Sequence, residues 1–187
     1  MRYMTMSGLI LFLCLPAILS AQDYATDRGS FILGGSASFT SQGGDLYENL
    51  DGDRVTTLTV NPYLLYFISP GFGIGGEVIL SRTTQGDDDA TSVGVGPTLA
   101  YYFGDAESTI RPFVQAGASY VSLSGDFLDA SGWGIGGGGG LAFMLSETVA
   151  LTLEGVYEIQ NISVDEFDED VDGDEFRLEA GIAAFLF

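Results

Sequence analysis

Apolar and polar residues alternate with period two along most of the chain, in eight stretches bounded by clusters of Gly, Asp, Ser and Pro. Successive side chains leave a pleated backbone on opposite sides, so this period marks strands with one apolar and one polar face. The stretches cover about 30–40, 56–68, 72–83, 91–103, 109–123, 132–145, 149–162 and 175–187. In the first, Phe31, Leu33, Ala37 and Phe39 oppose Ser36, Ser38 and Thr40. In the fifth, Val114, Ala116, Ala118 and Tyr120 oppose Arg111, Gln115, Gly117 and Ser119. In the sixth, Trp133, Ile135, Leu141 and Phe143 face away from an almost unbroken row of glycines. The seventh sets Leu151, Leu153, Tyr157 and Ile159 against Thr152, Glu154, Glu158 and Gln160. The eighth sets Phe176, Leu178, Ala180 and Ile182 against Arg177, Glu179 and Gly181.

The connections between these stretches also alternate in kind. Residues 41–53, 85–89, 124–131 and 163–174 form long acidic links, whereas 69–71, 104–108 and 146–148 are short. Most of the 26 acidic residues fall in the long set, and only Asp105, Glu107 and Glu147 fall in the short one. In an up-and-down arrangement of antiparallel strands, every long link lies at the same end.

Two architectures share this alternation: a soluble barrel or sandwich with its apolar face inside, and a membrane barrel with its apolar face outside. The polar face separates them. A surface meeting bulk water carries abundant charge, but these strands offer mainly Gly, Ser, Thr and Ala, which suit the narrow lumen of an eight-stranded barrel. The aromatics also collect at the strand ends. Phe39, Tyr120, Trp133, Tyr157 and Phe176 lie near the long links, and Phe31, Tyr66, Phe72, Tyr101, Phe103 and Phe143 near the short ones. Two such belts are expected of a barrel that crosses a bilayer. Closure follows from the same physics, since each unpaired backbone group in hydrocarbon costs several kcal/mol and a closed barrel has no edge. The fold class expected is therefore all-β, an eight-stranded antiparallel up-and-down transmembrane barrel.

The leader changes the compartment. Arg2 precedes an apolar run from Leu9 to Leu19 that ends in Ser20 and Ala21, the pattern of a cleavable secretory signal. The expected organisation is a signal peptide over 1–21 and an outer-membrane barrel over 22–187. Cys14 leaves with the signal, so thiol and disulfide chemistry go with it. The chain has no His and no Lys, and its formal net charge is −20. That balance argues against nucleic acid as a partner, because a phosphate backbone is bound by clustered Lys and Arg.

With these features assembled, the sequence resembles the small outer-membrane β-barrel family typified by OmpA's transmembrane domain and OmpX. The resemblance rests on the signal, the eight strands and the alternation of long and short links. It also rests on the phrase Arg111-Pro112-Phe113-Val114-Gln115-Ala116-Gly117 and the ending Ala183-Ala184-Phe185-Leu186-Phe187. It implies a chain in the cell outer membrane with long loops extracellular and both mature termini periplasmic. Its partners would be outer-membrane lipid and the barrel-assembly machinery, for which Phe185 and Phe187 form the recognition signal. One conflict arises: if Phe185 and Phe187 face lipid, strict alternation turns Glu179 to lipid as well. A bulge or a change of parity near Gly181 is expected to resolve it.

Catalysis is not expected. Enzymes on this architecture mostly rely on histidine, as the resemblance implies, and neither Lys nor a mature Cys is present to act as an activated nucleophile. Glu77, Glu154, Glu158 and Glu179 share the expected lumen with Arg111 and Arg177. Burial of charge requires pairing, so these six are expected to form a hydrogen-bonded ion network that fills the lumen. A paired-carboxylate enzyme and a narrow ion path are the sharper alternatives. Asp168, Asp170 and Asp172, followed by Gly173, match the spacing of an oxygen-ligand loop and make a weak calcium candidate beside the plainer reading of a solvated acidic loop. No other cofactor is expected, and cations or surface ligands are the partners that the acidic links would take. The glycines of 134–139 formally fit a nucleotide-binding pattern, but that pattern has meaning only between a parallel strand and a helix. Within a strand they are expected to make room for bulky lumen neighbours such as Tyr63 or Phe113. The function expected is non-enzymatic, structural or surface-interacting, with a narrow channel or a calcium-responsive loop as alternatives.

Overall fold

In the computed structural model the described residues are 25–44, 52–105, 107–125, 129–164 and 169–187. The leader expected at 1–21 lies outside them. Among the described residues eight strands form: β1 (Phe31–Gln42), β2 (Val55–Ser69), β3 (Phe72–Gln85), β4 (Asp88–Tyr102), β5 (Ile110–Gly125), β6 (Asp129–Met144), β7 (Val149–Val164) and β8 (Glu169–Leu186). Each pairs antiparallel with its neighbours in sequence, and β1 pairs with β8 to close the barrel.

The strands reach 12 to 18 residues, beyond the about 9–11 needed to cross hydrocarbon. The surplus lies at the long-link end, and there the structure corrects three expected loops. The 85–89 link is a two-residue turn, Gly86-Asp87, between Gln85 and its partner Asp88. Gly86 supplies the positive φ of 62° that a tight hairpin of this kind requires. Residues 129–131 belong to β6, and most of 163–174 continues β7 and β8 as a ladder up to Val164 and Glu169. Along the start of β8 alternation fades into residues polar on both faces, but backbone pairing does not depend on it and runs on. At the opposite end Pro70-Gly71 turns β2 into β3, with Gly71 at φ 74°.

Alternation sorts the two faces as expected. Leu33, Leu58, Val95, Ile135, Leu153 and Ile182 are among the exposed apolar residues of the outer wall. Phe39, Tyr120, Trp133, Tyr157 and Phe176 also point outward near the long-link end. Tyr120 stands opposite Trp133, and Tyr157 opposite Phe176. Near the short turns the rings of Phe31 and Tyr66 meet at 4.9 Å and those of Tyr101 and Phe103 at 4.8 Å. Both belts are therefore present.

The ladder is interrupted where proline removes a donor. Pairing of β2 with β3 skips Asn61 and Pro62, and pairing of β4 with β5 skips Gly96 and Pro97. The β1–β8 seam is the shortest, running from Phe31↔Leu186 only to Ala37↔Ala180. Beyond that point β1 stays with β2 and β8 with β7, so the two hairpins part company.

Candidate functional site

The lumen is filled in layers, and residue parity decides each of them. At the short-turn end Ile32, Leu65, Phe67, Tyr102, Phe113 and Phe185 turn inward on the same face as the polar lumen residues and are buried. Tyr102 is the hub. It stacks on Phe113 at 5.0 Å and meets Phe67 and Phe185 edge-on at 5.9 and 6.0 Å. The segment before β1 covers this plug from below: Ala25 and Thr26 are buried, and the Thr26 carbonyl accepts from the Gly71 amide at 2.9 Å.

Above the plug lies a polar chamber of about 40 Å³ lined by Ser36, Asn61, Glu77, Thr98, Glu154 and Glu179, among others. Arg177 crosses it. Its Nη2 lies 3.1 Å from Glu158, its Nε donates to Glu179 at 3.0 Å, and Nη1 reaches the exposed Glu175 at 2.8 Å. Neutral donors reach further carboxylate oxygens. The Ser119 hydroxyl donates to Glu158 at 3.1 Å, Thr98 to Glu77 at 2.8 Å, and the Gln115 amide to Glu154 at 2.9 Å. Ser36 donates to Glu179, and Asn61 Nδ2 donates to both Glu179 oxygens at 2.9 Å. Nearer the long-link end the hydroxyl pairs Thr59–Ser81 and Thr57–Thr83 bridge β2 and β3.

The glycine face of β6 is what admits the acids. A Cβ on Gly134 would overlap the Glu158 carboxylate, and one on Gly140 would lie 2.9 Å from Glu154 Cβ. Of the bulky neighbours expected there, the Tyr63 ring lies against Gly34 of β1, while Phe113 stands opposite Gly140 in the register.

Five of the six expected lumen residues, Glu77, Glu154, Glu158, Arg177 and Glu179, thus line one chamber. Arg111 is the exception. It is buried at the short-turn end, with its guanidinium carbon 5.9 Å from the Phe185 ring centre and its Nε 3.4 Å from the Ser108 carbonyl. The strand-eight conflict is resolved in a way not expected. Pairing of β8 runs without bulge or parity change, Glu179 faces inward, and Phe185 turns into the lumen with it. Phe187, one residue past the strand, is partly exposed. For the calcium candidate, Asp168 lies outside the described residues. Asp170, Asp172 and Gly173 sit in extended β8, opposite Ser163, Asn161 and Gln160, so the tight turn at Gly173 is not formed. Asn161 donates to Asp172 at 2.7 Å. Of the plug, sequence reasoning expected only Phe113 in the lumen; it missed Phe67, Tyr102, Phe185 and the role of Asn61, although parity placed all of them on the polar face.

A closed barrel with an apolar outer wall, two aromatic belts and a filled polar interior defines an integral outer-membrane protein. The chain belongs to the outer membrane protein beta-barrel domain family, whose model matches residues 9–183. None of the curated proteins matches the sequence significantly. Among solved structures, Neisserial surface protein A is similar at 18% identity and a TM-score of 0.56, covering 84% of this chain and 97% of that one. OprG from Pseudomonas aeruginosa is similar at 18% identity and a TM-score of 0.57, covering 88% of this chain and 99% of that one. At such identity the likeness is one of fold.

Proposed function

We propose that this outer-membrane barrel is non-enzymatic and non-conducting, and that it works through the acidic end of its strands as a structural or surface-interacting protein. The observation that carries the reading is the plug: Tyr102 in ring contact with Phe67, Phe113 and Phe185 inside the lumen, covered by Ala25 and Thr26. A cation crossing this layer would leave the carboxylates of the chamber for packed rings beside the Arg111 guanidinium, and charge in so apolar a layer is costly. The chamber also supports a non-enzymatic role. At about 40 Å³ it has space for a few waters rather than a substrate.

In this reading the long-link end faces the exterior and the short turns face the periplasm, with the leader at 1–21 removed on export. Lipid solvates the outer wall, and Phe187 serves the barrel-assembly machinery before the strand closes. The acidic start of β8, Glu169 to Glu175, together with the acidic residues that precede it in sequence, forms the working surface for cations or surface ligands. Planar-bilayer recording is the test: the purified protein gives no discrete conductance steps. Steps that change size on Arg177→Met would establish the narrow channel in its place.

A further inference from the structure

The chamber holds more negative charge than its own cation answers. Glu77, Glu154, Glu158 and Glu179 line it with one guanidinium, Arg177, which is engaged by Glu158, Glu179 and Glu175. Glu77 and Glu154 receive neutral donors, Thr98 and Gln115. A second, independent observation lies beside them. Asn61 is 5% exposed and lines the same chamber, yet its carbonyl oxygen Oδ1 is buried without a hydrogen-bond donor. Its Nδ2 is committed to Glu179, so the opposite edge of the planar amide, the oxygen, is turned from Glu179. An orphaned buried acceptor costs about 1–3 kcal/mol, and a native structure supplies a partner for it.

The nature of that partner follows from the donor set. Set among the apolar Ile79, Ala116, Ala118 and Val156, the polar groups of the chamber that remain to accept are oxygens: carboxylates and the Asn61 amide carbonyl. Such a set suits a hard cation. Among the described residues no three acidic side chains converge closely enough to chelate a metal directly. Calcium, which takes 6–8 oxygens with several carboxylates among them, is therefore poorly served, as is magnesium with its tightly held water shell. A volume of about 40 Å³ admits one small ion with one or two of its waters.

We propose that the chamber binds a partly hydrated alkali cation, sodium or potassium, with Asn61 Oδ1 as a neutral oxygen ligand and Glu77, Glu154 and Glu179 as its counter-charge. The site needs no conduction pathway, so it stands whether or not the barrel conducts.

The experiment uses the full barrel refolded in zwitterionic detergent, with urea midpoints measured against sodium chloride. N-methylglucamine chloride, whose cation is too large for the chamber, holds ionic strength constant. Because a ligand that binds only the folded state stabilises it by mass action, the wild-type midpoint rises saturably with sodium. Glu77→Gln keeps an acceptor for Thr98 and shifts the apparent sodium affinity at least tenfold weaker. Asn61→Leu abolishes the response, and sodium-23 line broadening disappears with it. Asp172→Asn, on the exposed part of β8, leaves the response unchanged. If sodium and N-methylglucamine give the same curves, water alone completes Asn61 and the proposal fails. It fails equally if Asp172→Asn moves the response as much as Glu77→Gln does, since the ion then sits on the exposed acidic strands. If Asn61→Leu does not refold, Glu77→Gln and the sodium-23 signal decide the matter between them.

Discussion

Replacing Phe185 tests the inward-turned C-terminal strand most directly. Its ring is fully buried, 6.0 Å from Tyr102 at 83°, with the Arg111 guanidinium 5.9 Å from its centre. Truncating a core Phe to Ala costs about 3–5 kcal/mol, depending on how far the site collapses. Here the surroundings are a hydrogen-bonded cylinder, and the β8 backbone is itself pinned, the Phe185 amide donating to the Thr148 carbonyl at 2.8 Å. Collapse is therefore restricted, which places Phe185→Ala in the upper half of that range, about 4–5 kcal/mol. The edge-on contact with Tyr102 accounts for about 0.5–1.5 kcal/mol of it. Phe185→Leu keeps most of the volume and costs about 1.5 kcal/mol or less if the plug repacks. The assay is urea unfolding of barrel refolded in lipid vesicles, followed by the fluorescence of Trp133 on the outer belt. Refolding from urea bypasses the assembly machinery, so the measurement isolates packing from recognition. A loss below about 1 kcal/mol for Phe185→Ala, or equal losses for Ala and Leu, refutes the plug as a packed layer.

Three further perturbations test the rest of the interior. Arg177→Met leaves Glu158 and Glu179 buried without their cation and destabilises the barrel by about 3–5 kcal/mol in the same unfolding assay; adding Glu158→Gln and Glu179→Gln restores part of the loss. Gly134→Val drives a side chain into Glu158 and Ser119 and costs about 1–3 kcal/mol, whereas Gly173→Ala, with nothing within 4 Å of its added methyl, is neutral or stabilising by up to about 1 kcal/mol; comparison of their urea midpoints checks the pair. Hydrogen exchange resolved by residue finds alternate amides of 38–42 and 173–179 exchanging faster than those of the paired seam 31–37, and uniform protection across both would show the hairpins zipped together.

The fold was legible because period-two alternation survives in every strand, and because small residues on one face left only the membrane-barrel solution. The lengths of the acidic links were not. Alternation reports a difference between faces, and where β8 rises past the apolar band its residues 169–175 are almost all polar on both faces, while its backbone ladder with β7 continues to Val164↔Glu169. Parity likewise contained the plug: Phe67 shares the face of Asn61, Tyr102 that of Thr98, Phe113 that of Arg111 and Phe185 that of Glu179. From sequence Phe113 reads as a lumen residue, whereas Phe67 and Tyr102 enter neither belt nor lumen and Phe185 is drawn toward lipid by its spacing from Phe187. The depth of Arg111 was out of reach for another reason. Two inward residues on different strands have relative heights only once the pairing register is known, and that register places Arg111 opposite Ala142, at the closed end of β6.

The register also explains why a small barrel retains so costly an interior. Slipping any strand by one residue would send its whole inward set to lipid. On β7 that set contains Glu154 and Glu158, on β8 Arg177 and Glu179, and on β3 Glu77. Facing hydrocarbon, each charged group would be strongly disfavoured near the midplane, so misregistered closures are excluded on several strands at once. The seven-pair β1–β8 seam, the shortest of the eight, has the least backbone to define it. Its open end is where Ser36 of β1 and Asn61 of β2 both reach Glu179 of β8. The buried polar contacts thus sit where backbone pairing specifies closure least, and they tie the last strand to the first two.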